Sequence, residues 1–69
     1  MYQLKAQVTW FNQQKGFGFA APDIVAIDVL IDVSSLDTPD LQLYAGDRVY
    51  VEVSKDHDGR FQAHRVILL

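Results

Sequence analysis

The run Arg48–Lys55 reads R-V-Y-V-E-V-S-K, and it restricts the fold more than any other stretch of this 69-residue chain. Val49, Val51 and Val53 fall on one side of an extended strand, and Tyr50 and Glu52 on the other. Three β-branched residues at a period of two give a helix no continuous apolar stripe, whereas a pleated strand buries all three together. The same period returns in Ile27–Val33, I-D-V-L-I-D-V, with Ile27, Val29, Ile31 and Val33 facing one way and Asp28, Leu30 and Asp32 the other. Gln3–Asn12 alternates more loosely. Turn signals punctuate these runs at Asn12–Gly16, Ala21-Pro22-Asp23, Asp37-Thr38-Pro39-Asp40, Ala45-Gly46-Asp47 and Asp56-His57-Asp58-Gly59. The pattern predicts five strands, near 3–12, 16–21, 26–33, 47–55 and 60–68, with a short helical turn near Ser34–Leu36. Five short strands in one small domain, residues 1–69, predict an all-β antiparallel barrel, because closure removes the exposed edges of so small a sheet.

The same residues argue against several functions. There is no cysteine, so disulfides and thiolate metal sites are excluded. His57 and His64, the only histidines, flank a predicted turn and make a poor metal site. Asp28 and Asp32 share a strand face, but their α-carbons should lie roughly 13 Å apart, too far for ordinary acid–base pairing. Ser34-Ser35 lacks the surroundings of a nucleophile motif, and Ser34 reads as the cap of a short turn. No enzyme activity, cofactor or metal is expected. The opening MYQLKAQVTW does not read as a signal peptide, and the longest apolar stretch, Ile24–Val33, is interrupted by two aspartates. It falls short of the roughly 20 residues that span a bilayer. The expectation is a soluble, cytoplasmic protein with no membrane partner. The formal net charge of -3 argues mildly against a polyanionic partner, but a local basic strip would outweigh it.

One stretch fits a plain core strand badly. Lys15-Gly16-Phe17-Gly18-Phe19 puts two rings on one side of the predicted second strand, among glycines that have no side chain to pack. Such a pair suits an exposed aromatic platform on which bases lie flat, with the glycines letting a ligand backbone approach. The plainer reading places one or both rings in the core, where most strand phenylalanines lie.

Val8-Thr9-Trp10-Phe11-Asn12, then Lys15–Phe19, then Pro22-Asp23, resembles the opening of a cold-shock domain, and the resemblance extends over the whole chain. It implies a five-stranded oligonucleotide-binding (OB-fold) barrel that binds single-stranded DNA or RNA as a nucleic-acid chaperone or regulator. In that family bases stack on aromatic side chains of the first three strands, and lysines steer the backbone. On this resemblance Trp10, Lys15, Phe17 and Phe19 match ligand-contacting positions. Asn12 matches as a turn former and hydrogen-bonding group, and Phe11 as the second aromatic of the first strand.

The chain also departs from the family pattern. Where the third strand usually carries phenylalanine, histidine and phenylalanine, it has Leu30, Asp32 and Val33. Thr9 replaces the usual lysine before the tryptophan, the loop that brings a further phenylalanine offers Asp40 or Leu41, and Phe61 stands where proline is common. Stacking is worth roughly 1–3 kcal/mol per base. Losing three or four platforms corresponds to about two to four decades of affinity, with Leu30 and Val33 keeping the loss toward the lower end. The remaining half-site comprises Trp10, Lys15, Phe17 and Phe19, joined at one end by Phe11, Lys55, Arg60 and Phe61. Asp32 on this face either repels phosphate or accepts a hydrogen bond from a base amino group. The competing expectation is a degenerate barrel that dimerises or binds protein. Its apolar surface would be Leu30 and Val66–Leu69, with Ser34–Gly46 as a hinge for strand exchange in a homodimer.

Overall fold

A computed structural model describes residues 1–38 and 40–69; Pro39, part of one predicted turn, lies outside the described residues. Five strands form: β1 (Tyr2–Asn12), β2 (Phe17–Pro22), β3 (Val29–Asp32), β4 (Arg48–Lys55) and β5 (Phe61–Leu68). They close into a barrel in the order β1-β2-β3-β5-β4, with β4 returning to pair with β1. The expectation of a wholly antiparallel barrel is corrected at one seam. β3 and β5 run parallel, with Val29 opposite Phe61 and Leu30 opposite Gln62. The reason is parity: strand direction cannot alternate all the way round a closed ring of five, so one pair must match.

The barrel interior is aliphatic. Val29, Ile31, Val49, Val51, Val53 and Val66 are fully buried, and so is Leu43 from the long connection between β3 and β4. Leu36, from the same connection, is also buried and bridges to Val66. The connection thus contributes to the core instead of looping free of it.

The third strand is shorter than its period-two pattern predicts. It ends at Asp32, where the chain turns into a single 3-10 turn, Val33–Ser35. Asp32 Oδ1 accepts from the Ser34 backbone N–H at 2.9 Å and from the Ser34 hydroxyl; the Ser35 hydroxyl donates to the Asp32 carbonyl at 2.7 Å. Asp32, not Ser34, therefore caps the turn. The turn also moves Val33 off the predicted core face: it is 51% exposed, beside the α-carbon of Gly16. At the other end the Ile27 N–H donates to the Val25 carbonyl at 3.0 Å, a tight bend that delays the strand to Val29.

Just past the end of β2, Asp23 is gripped by both terminal guanidinium nitrogens of Arg48 on β4, one of them at 2.7 Å. The hydrogen bond from Arg48 holds the Asp23 carboxyl below its ordinary value of 3.8. A carboxyl depressed in the folded state stabilises the fold above its unfolded pKa and loses that contribution as pH falls through the lower folded value. The pair is exposed, so the effect is small. Thermal unfolding of Asp23→Asn should accordingly differ from wild type at pH 6 and converge with it near pH 2; a constant gap between the two would contradict this account.

Candidate nucleic-acid interface

The three rings that define the site reach one face through a fault in the sheet. Along β1, Ala6 and Val8 point into the barrel, and strict alternation would send Trp10 inward after them. The ladder slips at this point: Val8 pairs with Ala20, and Trp10 pairs with Phe19. Thr9 is the extra residue, and its hydroxyl donates to the Phe19 carbonyl at 3.2 Å. This β-bulge reverses the parity of the strand. Trp10 emerges 45% exposed, while Phe11 turns back to pack against the core.

Phe11 explains the second glycine of the K-G-F-G-F stretch. It lies opposite Gly18, and a Cβ on Gly18 would sit 2.2 Å from the Trp10 carbonyl oxygen and 2.7 Å from the Phe11 α-carbon and ring. The room at Gly18 is thus taken by the protein's own first strand, not left for a ligand backbone. Gly16 has a different reason, a φ of +73° in the turn that joins β1 to β2. That turn is closed by Asn12, whose carbonyl accepts from the Gly16 N–H at 2.8 Å and whose Oδ1 accepts from the Lys15 N–H at 3.0 Å. Lys15 is exposed on the turn, two residues before Phe17.

Trp10, Phe17 and Phe19 form a cluster. Trp10 meets Phe17 edge-on at 5.4 Å between centroids and lies nearly parallel to Phe19 at 6.3 Å, and the two phenylalanines meet edge-on at 6.4 Å. The β2–β3 ladder sets Asp32 opposite Phe17 and Leu30 opposite Phe19, so these four side chains share the outer face. Past Leu30 the face continues into an open groove of about 510 Å³, walled by Phe19, Leu30, Ile27, Arg60 and Phe61. The β4–β5 turn positions the last two. The Asp56 N–H donates to the Arg60 carbonyl at 2.8 Å, and Asp56 Oδ1 accepts from the N–H groups of Arg60 and Asp58, both at 2.9 Å. The Arg60 N–H holds the Asp56 carboxyl below its ordinary value.

The structure thus gathers Trp10, Phe17, Phe19, Leu30 and Asp32 on one face, with Lys15 at one end and Arg60 and Phe61 at the other. Asn12 serves the turn, and Phe11 packs against the core. The sequence reading passed over Ile27, Asp28 and Gln62, which line the groove; the alternation Ile27-Asp28 pointed to the β3 ladder, but only the parallel seam brings them beside Phe61.

Arg48 pairs with Asp23, and Arg65 pairs with Asp37 and Glu52. Among the described residues, Lys5, Lys15, Lys55 and Arg60 form no ion pair; Lys5 lies away from the rings beside Asp23 and Ile24, while Lys15 sits on the turn before Phe17, Arg60 lines the groove, and the Lys55 ammonium lies 5.8 Å from the Phe61 ring centre. The rim of the rings therefore mixes these cations with Asp28, Asp32 and Asp56, so the chain's net charge of -3 does not leave the face uniformly acidic.

A closed five-stranded barrel with an exposed aromatic face and a rim of unpaired cations defines a small nucleic-acid-binding β-barrel class. The profile of the 'Cold-shock' DNA-binding domain matches residues 4–69, and the chain belongs to that family. It is 35% identical to the cold shock-like protein CspE of Escherichia coli K12, over 99% of this chain and all of that protein. Against the cold shock-like protein CspC of Buchnera aphidicola it is 37% identical, covering 86% of this chain and 87% of the relative. Among solved structures, Drosophila Unr CSD456 superimposes with a TM-score of 0.81 over 99% of this chain and 27% of that one, at 18% identity, a likeness of fold. No helix among the described residues is long and apolar enough to cross a membrane.

Proposed function

We propose that this domain binds single-stranded RNA or DNA by stacking bases on Trp10, Phe17 and Phe19, and acts as a non-catalytic nucleic-acid chaperone or regulator. The carrying observation is that these three rings touch one another on the outside of a barrel whose interior is already filled by valine, leucine and isoleucine. Folding alone does not require them there, since an exposed ring cluster forgoes burial that stabilises a core. Base stacking uses such a surface without demanding a particular base. Lys15, Lys55 and Arg60 attract the backbone from either end. Affinity is lower than in relatives with a fully aromatic third strand, because Leu30 and Asp32 offer no ring.

Trp10 reports on its own ligand. Titration with oligo-dT and with an RNA of equal length should quench its fluorescence saturably. Three neutralising cations give a slope of about -2 in log affinity against log salt for single strands. Absence of quenching at millimolar oligonucleotide and low salt would refute the proposal.

A further inference from the structure

We infer that Asp32 makes this interface discriminate between bases, favouring those that present an exocyclic amino group over uracil and thymine; the inference rests on the nucleic-acid reading above. Stacking by itself is nearly blind to base identity, so a preference must come from a fixed polar group at the edge of a ring platform. Asp32 is such a group. It lies directly opposite Phe17 in the β2–β3 ladder, on the same outer face as Phe19 and Leu30. Opposed side chains of a ladder start about 4.5–5.5 Å apart, so a base lying on Phe17 brings its edge to the carboxylate.

The carboxylate is held in place by the turn it caps. Both bonds from Ser34, one from the backbone N–H and one from the hydroxyl, fall on Oδ1. The capping box adds the Ser35 backbone N–H as a further donor to the side chain, and since neither Ser34 bond falls on Oδ2, the held carboxylate keeps lone pairs that can only accept. Cytosine offers it the N4 amino group, and adenine and guanine carry amino groups of their own, whereas uracil and thymine present O4 there, and their one edge donor, N3–H, sits between two carbonyl oxygens that repel a carboxylate. Phosphate repulsion by Asp32 acts on every strand alike, so it lowers affinity without touching the ratio between bases.

Oligo-dC and oligo-dU of seven nucleotides, compared at pH 7.5 by Trp10 quenching, test the effect, because the two bases are nearly the same size and differ only along one edge, at C4 and N3. The wild-type protein should bind dC7 about fivefold more tightly, about 1 kcal/mol at 1.4 kcal/mol per tenfold. Asp32→Asn keeps an oxygen for the cap and turns an amide nitrogen, a donor, toward the base. The ratio should fall to one or invert toward dU7. Asp32→Ser, which also keeps a cap oxygen, should bring it to one. Equal binding of dC7 and dU7 by the wild type, or a dC7 preference that survives both substitutions, overturns the inference while leaving the stacking reading intact. Failure of both oligonucleotides to quench removes the stacking reading and this inference with it.

Discussion

Gly18→Ala should cost roughly 3 kcal/mol of folding stability, at the upper end of what overpacking ordinarily costs. A single methyl group is enough because of what it would strike. Its nearest neighbour is the Trp10 carbonyl oxygen, 2.2 Å away, and the next is the Phe11 α-carbon at 2.7 Å. Both are backbone atoms of β1, so no rotamer change clears them, and moving the strand breaks the β1–β2 ladder. A domain of this length has roughly 3–10 kcal/mol of stability in all, so the substitution removes between about a third and all of it and leaves the variant half unfolded at worst. Urea unfolding followed by far-ultraviolet dichroism measures the loss, and Phe11→Leu should not rescue it, since trimming the ring leaves both backbone contacts. A Gly18→Ala protein within 1 kcal/mol of wild type would show that the fit of Phe11 over Gly18 is looser than described.

Removing the rings should separate binding from stability in the opposite sense. Phe17→Ala and Phe19→Ala should each weaken oligo-dT binding by roughly 5- to 100-fold, from about 1–3 kcal/mol of lost stacking. The double variant should lose less than the product of the two, because the rings meet at 6.4 Å and each helps orient the other. Trp10 remains as the reporter in all three. Both phenylalanines are only half-buried, outside the aliphatic core, so unfolding midpoints should shift far less than a core truncation would shift them. If either substitution collapses the fold while sparing affinity, these rings are structural and the platform must be sought elsewhere.

Set beside the structure, the alternating runs were the most legible part of the chain. Val49, Val51 and Val53 line the barrel as their spacing predicts, because nothing interrupts that strand on its inner face. The third strand was less legible. Its period-two pattern runs on through Val33, but the Asp32-Val33-Ser34-Ser35 cap competes with the ladder for the same backbone groups and ends the strand first. Asp-x-Ser-Ser is a helix-start signal that could have been read from the sequence, and it was masked by the stronger alternation.

What the amino-acid sequence determined by itself is therefore the set of strands, the family, and the rings Phe17 and Phe19 on one side of β2, because those depend on neighbours a few residues apart. The direction in which Trp10 points was decided only in the tertiary structure. By alternation from Val8 it belongs inside; the extra residue Thr9, accommodated against Phe19 of the next strand, turns it outward and sends Phe11 in. Gly18 likewise acquires its reason only when β1 lies across it. The parallel β3–β5 seam, which completes the groove with Phe61, follows from closing an odd number of strands. Each of these depends on which residues meet across the barrel, and that pairing is a property of the closed sheet, not of any stretch of the chain.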